Sequence, residues 1–194
     1  VDGVMEFPAQ TAAMLTPYLD ADGRPTDNYG DLYITSKQFS KLMVAGQRAG
    51  WQMHSHAIGD RAVRTAIEAY EAAARDDRAR SHRLGHAITH LELVHPSDYD
   101  RFAPAGIIAT YQLQWAVRNA FTLDALRPYI GEERFDRLYP AQPGWGGQPS
   151  PRPARAADAR PVAADAHGRV GATAALTVDG HGRGRHAGRP HGAR

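Results

Sequence analysis

Between residues 35 and 135 the apolar positions alternate between helical and extended spacing. Thr35 or Ser36 can cap a helix whose apolar positions Phe39, Leu42, Met43 and Ala49 follow helical intervals, with Gly50 as its stop. Trp51 to Ile58 reads as a strand. Asp60 can cap a helix from Arg61 to Arg75, which sets Ala62, Ala66, Ala69 and Ala73 on one small-residue face. Leu84 to Leu93 reads as a second strand, and His95-Pro96-Ser97 opens a short helix through Phe102. Gly106 precedes a third strand, Ile107 to Leu113, and Thr122 to Phe135 reads as a last helix interrupted at Pro128 and Gly131. Strand alternating with helix three times predicts a parallel α/β arrangement.

The first 34 residues follow neither period. Val1 to Met5 reads as the end of a strand. Residues 8–34 carry turn chemistry at Pro17, Asp22-Gly23, Pro25 and Asn28-Tyr29-Gly30, which predicts a long loop holding function or a lid.

Composition divides the 194 residues in two. Residues 1–140 hold 15 Lys and Arg against 18 Asp and Glu, a net of −3; residues 141–194 hold 8 against 3, a net of +5. The later segment carries 10 of the 19 glycines and a single leucine, Leu176, too little apolar surface to offset the entropy of ordering it. It is expected to be a disordered basic tail. Its Ala, Arg, Pro, Gly and His mixture is also what a GC-rich gene gives when translated out of frame, and a one-nucleotide shift near Ala141 permits an ordinary helix-to-glycine turn. A tail of this charge would alternatively bind nucleic acid or another polyanion. The chain has no cysteine, so a disulfide scaffold, a thiolate zinc site and a cysteine nucleophile are excluded. No run of about 18 apolar residues is present to span a membrane. The chain starts at Val1 without a leader, so it is expected to begin inside a longer gene product or to have been trimmed.

Six histidines precede the tail: His54, His56, His82, His86, His90 and His95. His54 and His56 alternate along one strand and therefore share a face. His90 lies near the end of the next strand, and ligand groups gather at the C-terminal ends of parallel strands. A lone strand histidine is more often a satisfied core or surface residue, but two at successive strand ends suit a metal cluster, because imidazole is the usual nitrogen ligand of zinc. His82 and His95 border loops and read as surface residues. His54 and His86 remain open as groups that hold a ligand or substrate.

Four stretches together resemble the metal-dependent amidohydrolases, and within them the branch containing N-substituted formamide deformylase. Asp2-Gly3-Val4-Met5-Glu6 with Thr11 to Leu15 and Pro17-Tyr18 is similar to the segment after strand four. His54 to Val63 resembles the strand-five signature, Ile88 to Pro96 the strand-six signature, and Ala109 to Trp115 strand seven. The resemblance implies a partial (β/α)8 TIM barrel over residues 1–140, with His56 and His90 as metal ligands. His54, His86 and Gln112 would be supporting or substrate-contacting residues. It departs from the family where Thr89 precedes the strand-six ligand and where Gln112 is followed by Leu113 rather than proline. It also has no counterpart for the strand-one His-x-His pair, the strand-four lysine or the strand-eight aspartate. Asp60 reads as a cap rather than a catalyst.

The implied parent enzyme is a cytoplasmic hydrolase of amide, formamide or carbamate C–N bonds, using zinc or a similar divalent metal. Its partner would be a small amide-type substrate, not a membrane or nucleic acid, with oligomerisation open. With catalytic elements missing, this chain is expected to be an incomplete and inactive piece. The competing expectation is a non-catalytic barrel fragment whose tail contacts a polyanion.

Overall fold

The computed structural model describes residues 1–112 and 119–139. The expected strand-seven residues Leu113, Gln114 and Trp115, and the tail at 141–194, lie outside them.

Helix α1 (Ser36–Arg48) opens on a capping box. Gln38 N–H donates to Thr35 Oγ1 at 3.3 Å and Thr35 N–H to Gln38 Oε1 at 3.2 Å, so two otherwise orphaned donors are satisfied reciprocally. Its buried face is Phe39, Met43, Gly46 and Gln47. Leu42, expected inward, is 49% exposed, and Ala49 lies past the last turn as the C-cap. The face is completed instead by a glycine and a buried amide, which apolar counting does not register.

Strand β1 (His54–Ala57), helices α2 (Asp60–Asp76) and α3 (Arg78–Leu84), and strand β2 (Ala87–His90) follow. A 3-10 turn (Pro96–Arg101) then runs into α4 (Phe102–Ala105) and strand β3 (Ile108–Thr110). Three short helices end the described part: α5 (Ala120–Ala125), α6 (Arg127–Ile130) and α7 (Glu132–Asp136). The strands are parallel in the order β1-β2-β3, with His56 opposite Thr89 and Thr89 opposite Thr110. Among the described residues the sheet has three parallel strands with helices packed on one side, the α/β arrangement expected of a partial barrel.

The helix side of the sheet carries the larger core. Ala62, Ala66, Ala69 and Ala73 are fully buried, as their spacing predicts, and bring α2 close to the strands. Tyr70 uses its hydroxyl to join α2 to two strands, sitting 2.8 Å from Ser55 Oγ and donating to Ala87 O at 2.7 Å. Asp98, almost wholly buried, accepts from Arg64 at 3.0 Å and from Arg101 at 2.7 Å, fastening the 3-10 turn to α2.

Four expectations shift. The strands are shorter than the apolar runs, because Trp51 and Gln52 are exposed irregular chain and Leu91 and Leu93 are buried outside a strand. Leu84, expected to open the second strand, is instead the last residue of helix α3, which is capped by the Asp77 carboxylate and ended by Gly85 in the left-handed region at φ +62°. Asp60 does not cap α2. Gly59 holds the cap position while Asp60 begins the helix and accepts Leu15 N–H at 2.8 Å. The first α2 amides instead reach Ala13 O, from Arg61 at 3.1 Å and Ala62 at 3.3 Å. In the last helical stretch Pro128 is harmless within the first turn of α6, and the breaks fall at Leu126 and Gly131.

The expected loop at 8–34 is packed in its first half and exposed over residues 21–25. Ala12, Met14 and Tyr18 are fully buried, and with Ile58, Leu93, Leu126, Ile130, Phe135 and Leu138 they build a second core beyond the strand ends, while Ala13 faces the larger core. Arg134 in α7 clamps the loop, donating to Thr16 O and Oγ1 at 3.0 Å and to Pro17 O at 2.9 Å. Among the described residues no helix is long and apolar enough to cross a membrane.

His86 is fully buried at the opposite end of β2 from His90. Met53 N–H donates to its Nδ1 at 3.0 Å, so the ring proton belongs on Nε2, which meets Gln47 Oε1 at 3.1 Å. The Gln47 amide then donates to Ala73 O at 2.7 Å. Burial holds the His86 pKa below its ordinary value. A depressed imidazole pKa stabilises the fold above the ordinary histidine range and loses that contribution as pH falls. Urea unfolding at pH 7 and pH 5 should show the wild-type chain losing stability on acidification. His86→Phe should start lower, with Met53 N–H and Gln47 unsatisfied, and show a flatter dependence. An equal slope in both would remove His86 from the acid response.

Candidate metal centre

His56 and His90 come together where two parallel strands end. Their ring centroids lie 4.6 Å apart with the planes at 65°. His56 reaches this position by strand alternation, on the sheet face away from the helices. His90 reaches it by strain: it and Leu91 both adopt the left-handed region, at φ +75° and +51°. Such a backbone costs on the order of 1–3 kcal/mol per non-glycine residue and persists only where surrounding structure enforces it. Leu91 N–H to Ala57 O and Leu93 N–H to Ile58 O, both at 3.0 Å, provide that enforcement.

Beneath the pair lies Asp2, which sequence reasoning noted only as part of a resemblance. Its carboxylate accepts from Ala13 N–H at 3.0 Å, Ile58 N–H at 3.1 Å and Gly59 N–H at 2.9 Å, and Oδ1 lies 3.3 Å from His56 Nδ1. The loop can approach this closely because residue 59 is glycine; a Cβ there would stand 2.1 Å from Ala13 O. Two of the three amides that Asp2 accepts from lie more than 50 residues away in sequence, so no local pattern could have marked it.

Two further carboxyls flavour the region. Glu92 is buried, and burial, reinforced by Glu6 and Asp2 and opposed by a hydrogen bond with Tyr139, pushes its pKa up to about 8. Asp60 is also raised, chiefly by burial, against its bond from Leu15 N–H. His90 is lowered by burial first and by His56 second.

The remaining expected site residues separate. Gln112 joins the site, donating from Nε2 to Thr89 Oγ1 at 2.8 Å. His54 is exposed at the start of β1, on the same face as His56 but one strand step further from the strand ends. His86 stands on the helix side, its ring edge-on to Tyr70 at 5.7 Å and both nitrogens committed to the core. It therefore supports the fold and not the histidine pair. His95 caps the 3-10 turn through its side chain, and His82 is exposed on α3.

The pair fits a divalent ion in kind. Two imidazoles converge, and the His56 Nδ1 is buried without a hydrogen-bond partner, a state native structures leave to groups with another use. In number it falls short: among the described residues no group of three or more His, Cys, Asp or Glu side chains is arranged to hold an ion. Asp2 lies against the pair with Oδ1 3.3 Å from His56 Nδ1, and its carboxylate is engaged by three main-chain amides.

A profile of the Amidohydrolase family matches residues 1–143. The chain belongs to that family. Among curated proteins it is 31% identical over 128 residues to Protein LONG AFTER FAR-RED 3 of Arabidopsis thaliana, covering 65% of this chain and 20% of that protein. It is 26% identical over 141 residues to the Exoenzymes regulatory protein AepA of Pectobacterium carotovorum subsp. carotovorum, covering 72% and 27%. The amidohydrolase chain thus spans about a quarter or less of the length of these relatives. Its fold matches two solved structures, an uncharacterized metal-dependent hydrolase of Pyrococcus furiosus (TM-score 0.56, 24% identity) and one of Pyrococcus horikoshii OT3 (TM-score 0.55, 21% identity). Each match covers 72% of this chain, and 26% and 25% of the respective structures.

Asp2→Ala would strand three buried amides at once. A buried unsatisfied donor costs about 1–3 kcal/mol, so a loss of at least about 3 kcal/mol in urea unfolding at neutral pH is expected. A loss below about 1 kcal/mol would mean that the loop and the β1–α2 turn are held together without it.

Proposed function

We propose that this amidohydrolase chain contributes the strand-four to strand-seven part of a metal-dependent hydrolase of non-peptide C–N bonds, and that it does not turn over substrate by itself. The observation that carries the reading is the convergence of His56 and His90 at the ends of adjacent parallel strands. His56 and His90 would hold the ion, with zinc as the first candidate from their nitrogen chemistry. A bound divalent ion of this kind supplies a water acidified toward neutrality and polarises an amide or formamide carbonyl.

The chain's own residues have narrower tasks. The two imidazoles must stay neutral to bind a cation, and burial together with their mutual repulsion works in that direction at His90. Asp2 fixes the β1–α2 turn beneath His56 through the amides of Ile58 and Gly59. The inactive reading is supported by the donor count, since two imidazoles without an anionic ligand hold a catalytic ion weakly. A small N-substituted formamide is the substrate to try first, on the strength of the sequence resemblance, and the setting would be cytoplasmic.

Titration of the purified chain with Zn2+ by calorimetry should show one weak site per chain, lost in both His56→Ala and His90→Ala. Added N-substituted formamide should not be hydrolysed above the rate with Zn2+ alone. Zinc binding that survives both substitutions would defeat the metal assignment, and turnover that depends on the two histidines would defeat the inactivity.

A further inference from the structure

We infer that the chain leaving α7 is a positioning strap for His90, in which Leu138 and Tyr139 hold the left-handed turn that brings its ring against His56. The inference rests on the proposed metal reading only for the use of the pair. The strap itself stands on main-chain geometry.

Among the described residues four non-glycine positions lie in the left-handed region, and three of them fall on two segments bonded to each other. His90 and Leu91 are at φ +75° and +51°, and Tyr139 is at +49°. Leu93 pairs with Leu138 in an isolated antiparallel bridge, and Tyr139 N–H donates to Glu92 O at 2.7 Å. The strain on both sides is thus gathered at one short pairing. Backbone of this kind persists only where its surroundings over-determine it, and it collects at ligand clamps and switch regions.

The first strand supplies only part of that restraint. Leu91 and Leu93 give their N–H groups to Ala57 O and Ile58 O, while Glu92 between them is 2% exposed and takes its main-chain donor from Tyr139. If the strap leaves, a buried carbonyl loses that donor, and swinging outward to water would satisfy it. The same movement would let positions 90 and 91 return to extended backbone. Both terms favour opening, so the strap opposes them together.

The strap has firm anchorage. Leu138 and Tyr139 are buried in the second core with Met5, Tyr18 and Leu93. Arg134 ties α7 to Thr16 and Pro17, Leu19 N–H donates to Tyr129 O at 2.7 Å, and Phe7 N–H donates to Ala125 O at 3.0 Å. Asp2 in turn holds the loop to the β1–α2 turn through Ala13, Ile58 and Gly59. A closed path therefore runs from β1 through Asp2, the loop and α7 to Tyr139, then across Glu92 and Leu91 back to β1. His56 and His90 stand on that path, and their 4.6 Å ring spacing depends on its closure. Leu138 is the position to change, because its side chain packs the strap while the bonds it protects are main-chain.

The experiment is native-state hydrogen exchange on the full chain without metal, first on the wild type in low urea. The Leu91, Leu93 and Tyr139 amides should open together, ahead of Ala87, whose N–H bonds Met53 O at the other end of β2. Tyr139 opening alone, with Leu91 and Leu93 as protected as Ala87, would overturn the strap without any variant. Leu138→Ala should then speed exchange at Leu91 and Leu93 at least about 10-fold more than at Ala87, and weaken the proton contact between the His56 and His90 rings. Leu138→Met, which keeps the volume, should restore both. Met43→Ala, in the larger core on α1, should destabilise the chain without that selectivity. If Leu138→Ala speeds Leu91 and Leu93 no more than Ala87, or if Met43→Ala gives the same selectivity, Leu138 is only a core residue and the inference is wrong. Zn2+ titration reads the consequence, a weakening of about 10-fold in Leu138→Ala, as for residues that orient a ligand from behind. Absence of Zn2+ binding in every form, with the exchange as expected, would overturn the metal reading and leave the strap standing.

Discussion

A buried carboxylate held by main-chain amides organises this structure. Asp2 is held in the interior by three main-chain amides, from Ala13 on the loop and from Ile58 and Gly59 at the turn into α2. Each is a charge-assisted hydrogen bond, roughly twice as strong as a neutral one, and together they replace the water that the charge has lost. The three donors lie on segments distant in sequence, so satisfying one carboxylate fixes the loop against the strand end. The rest follows from that fixing. Ala13 O is delivered to the exposed amides of α2, Leu15 N–H is delivered to Asp60, and the second core forms between the loop and helices α5–α7.

The division between the two cores explains what the sequence could announce. Where a residue's role is set by near neighbours, the pattern is sufficient: the alanine stripe of α2, the Thr35 cap, the glycine at position 50 just past α1 and the succession of three parallel strands all appear as read. His56 was placed by alternation and His90 by its proximity to the end of an apolar run. Long-range hydrogen bonding was not legible. Gln47 looks like a solvent residue on α1 until His86 is seen behind it, and His86 looks like a site residue until Met53 and Gln47 are seen to occupy its nitrogens. Helix α3 was missed because Arg78–Leu84 offers almost no apolar periodicity; its cap and glycine stop carry it. Leu91 and Leu93 show the converse, apolar residues buried past the end of β2 where strand spacing was expected.

The same division separates stability from chemistry. The helix side of the sheet holds the alanine stripe, Tyr70 and the Gln47–His86 chain, all closed and fully partnered. The other side holds His54, His56, Thr89 and Thr110, whose contacts are polar and partly open to solvent. Substitution of His56 therefore removes little buried apolar area, and what it costs in folding is small beside what Asp2 or Tyr70 contributes. A centre built on this face can change its ligands without endangering the sheet.

That freedom does not extend to His90. Its ring belongs to the open face, but its backbone belongs to the junction between the cores, where Leu91 and Leu93 bond to β1 and Glu92 O accepts from Tyr139 N–H at 2.7 Å. A left-handed non-glycine residue at this point is maintained by both neighbours at once. Glycine at position 90 would relieve the strain and remove the imidazole together, whereas a β-branched residue would keep the bulk and fit the backbone worst. The two histidines of the pair are thus unequal. His56 is a side chain presented by a regular strand, and His90 is a side chain presented by a strained turn that the second core must hold in place.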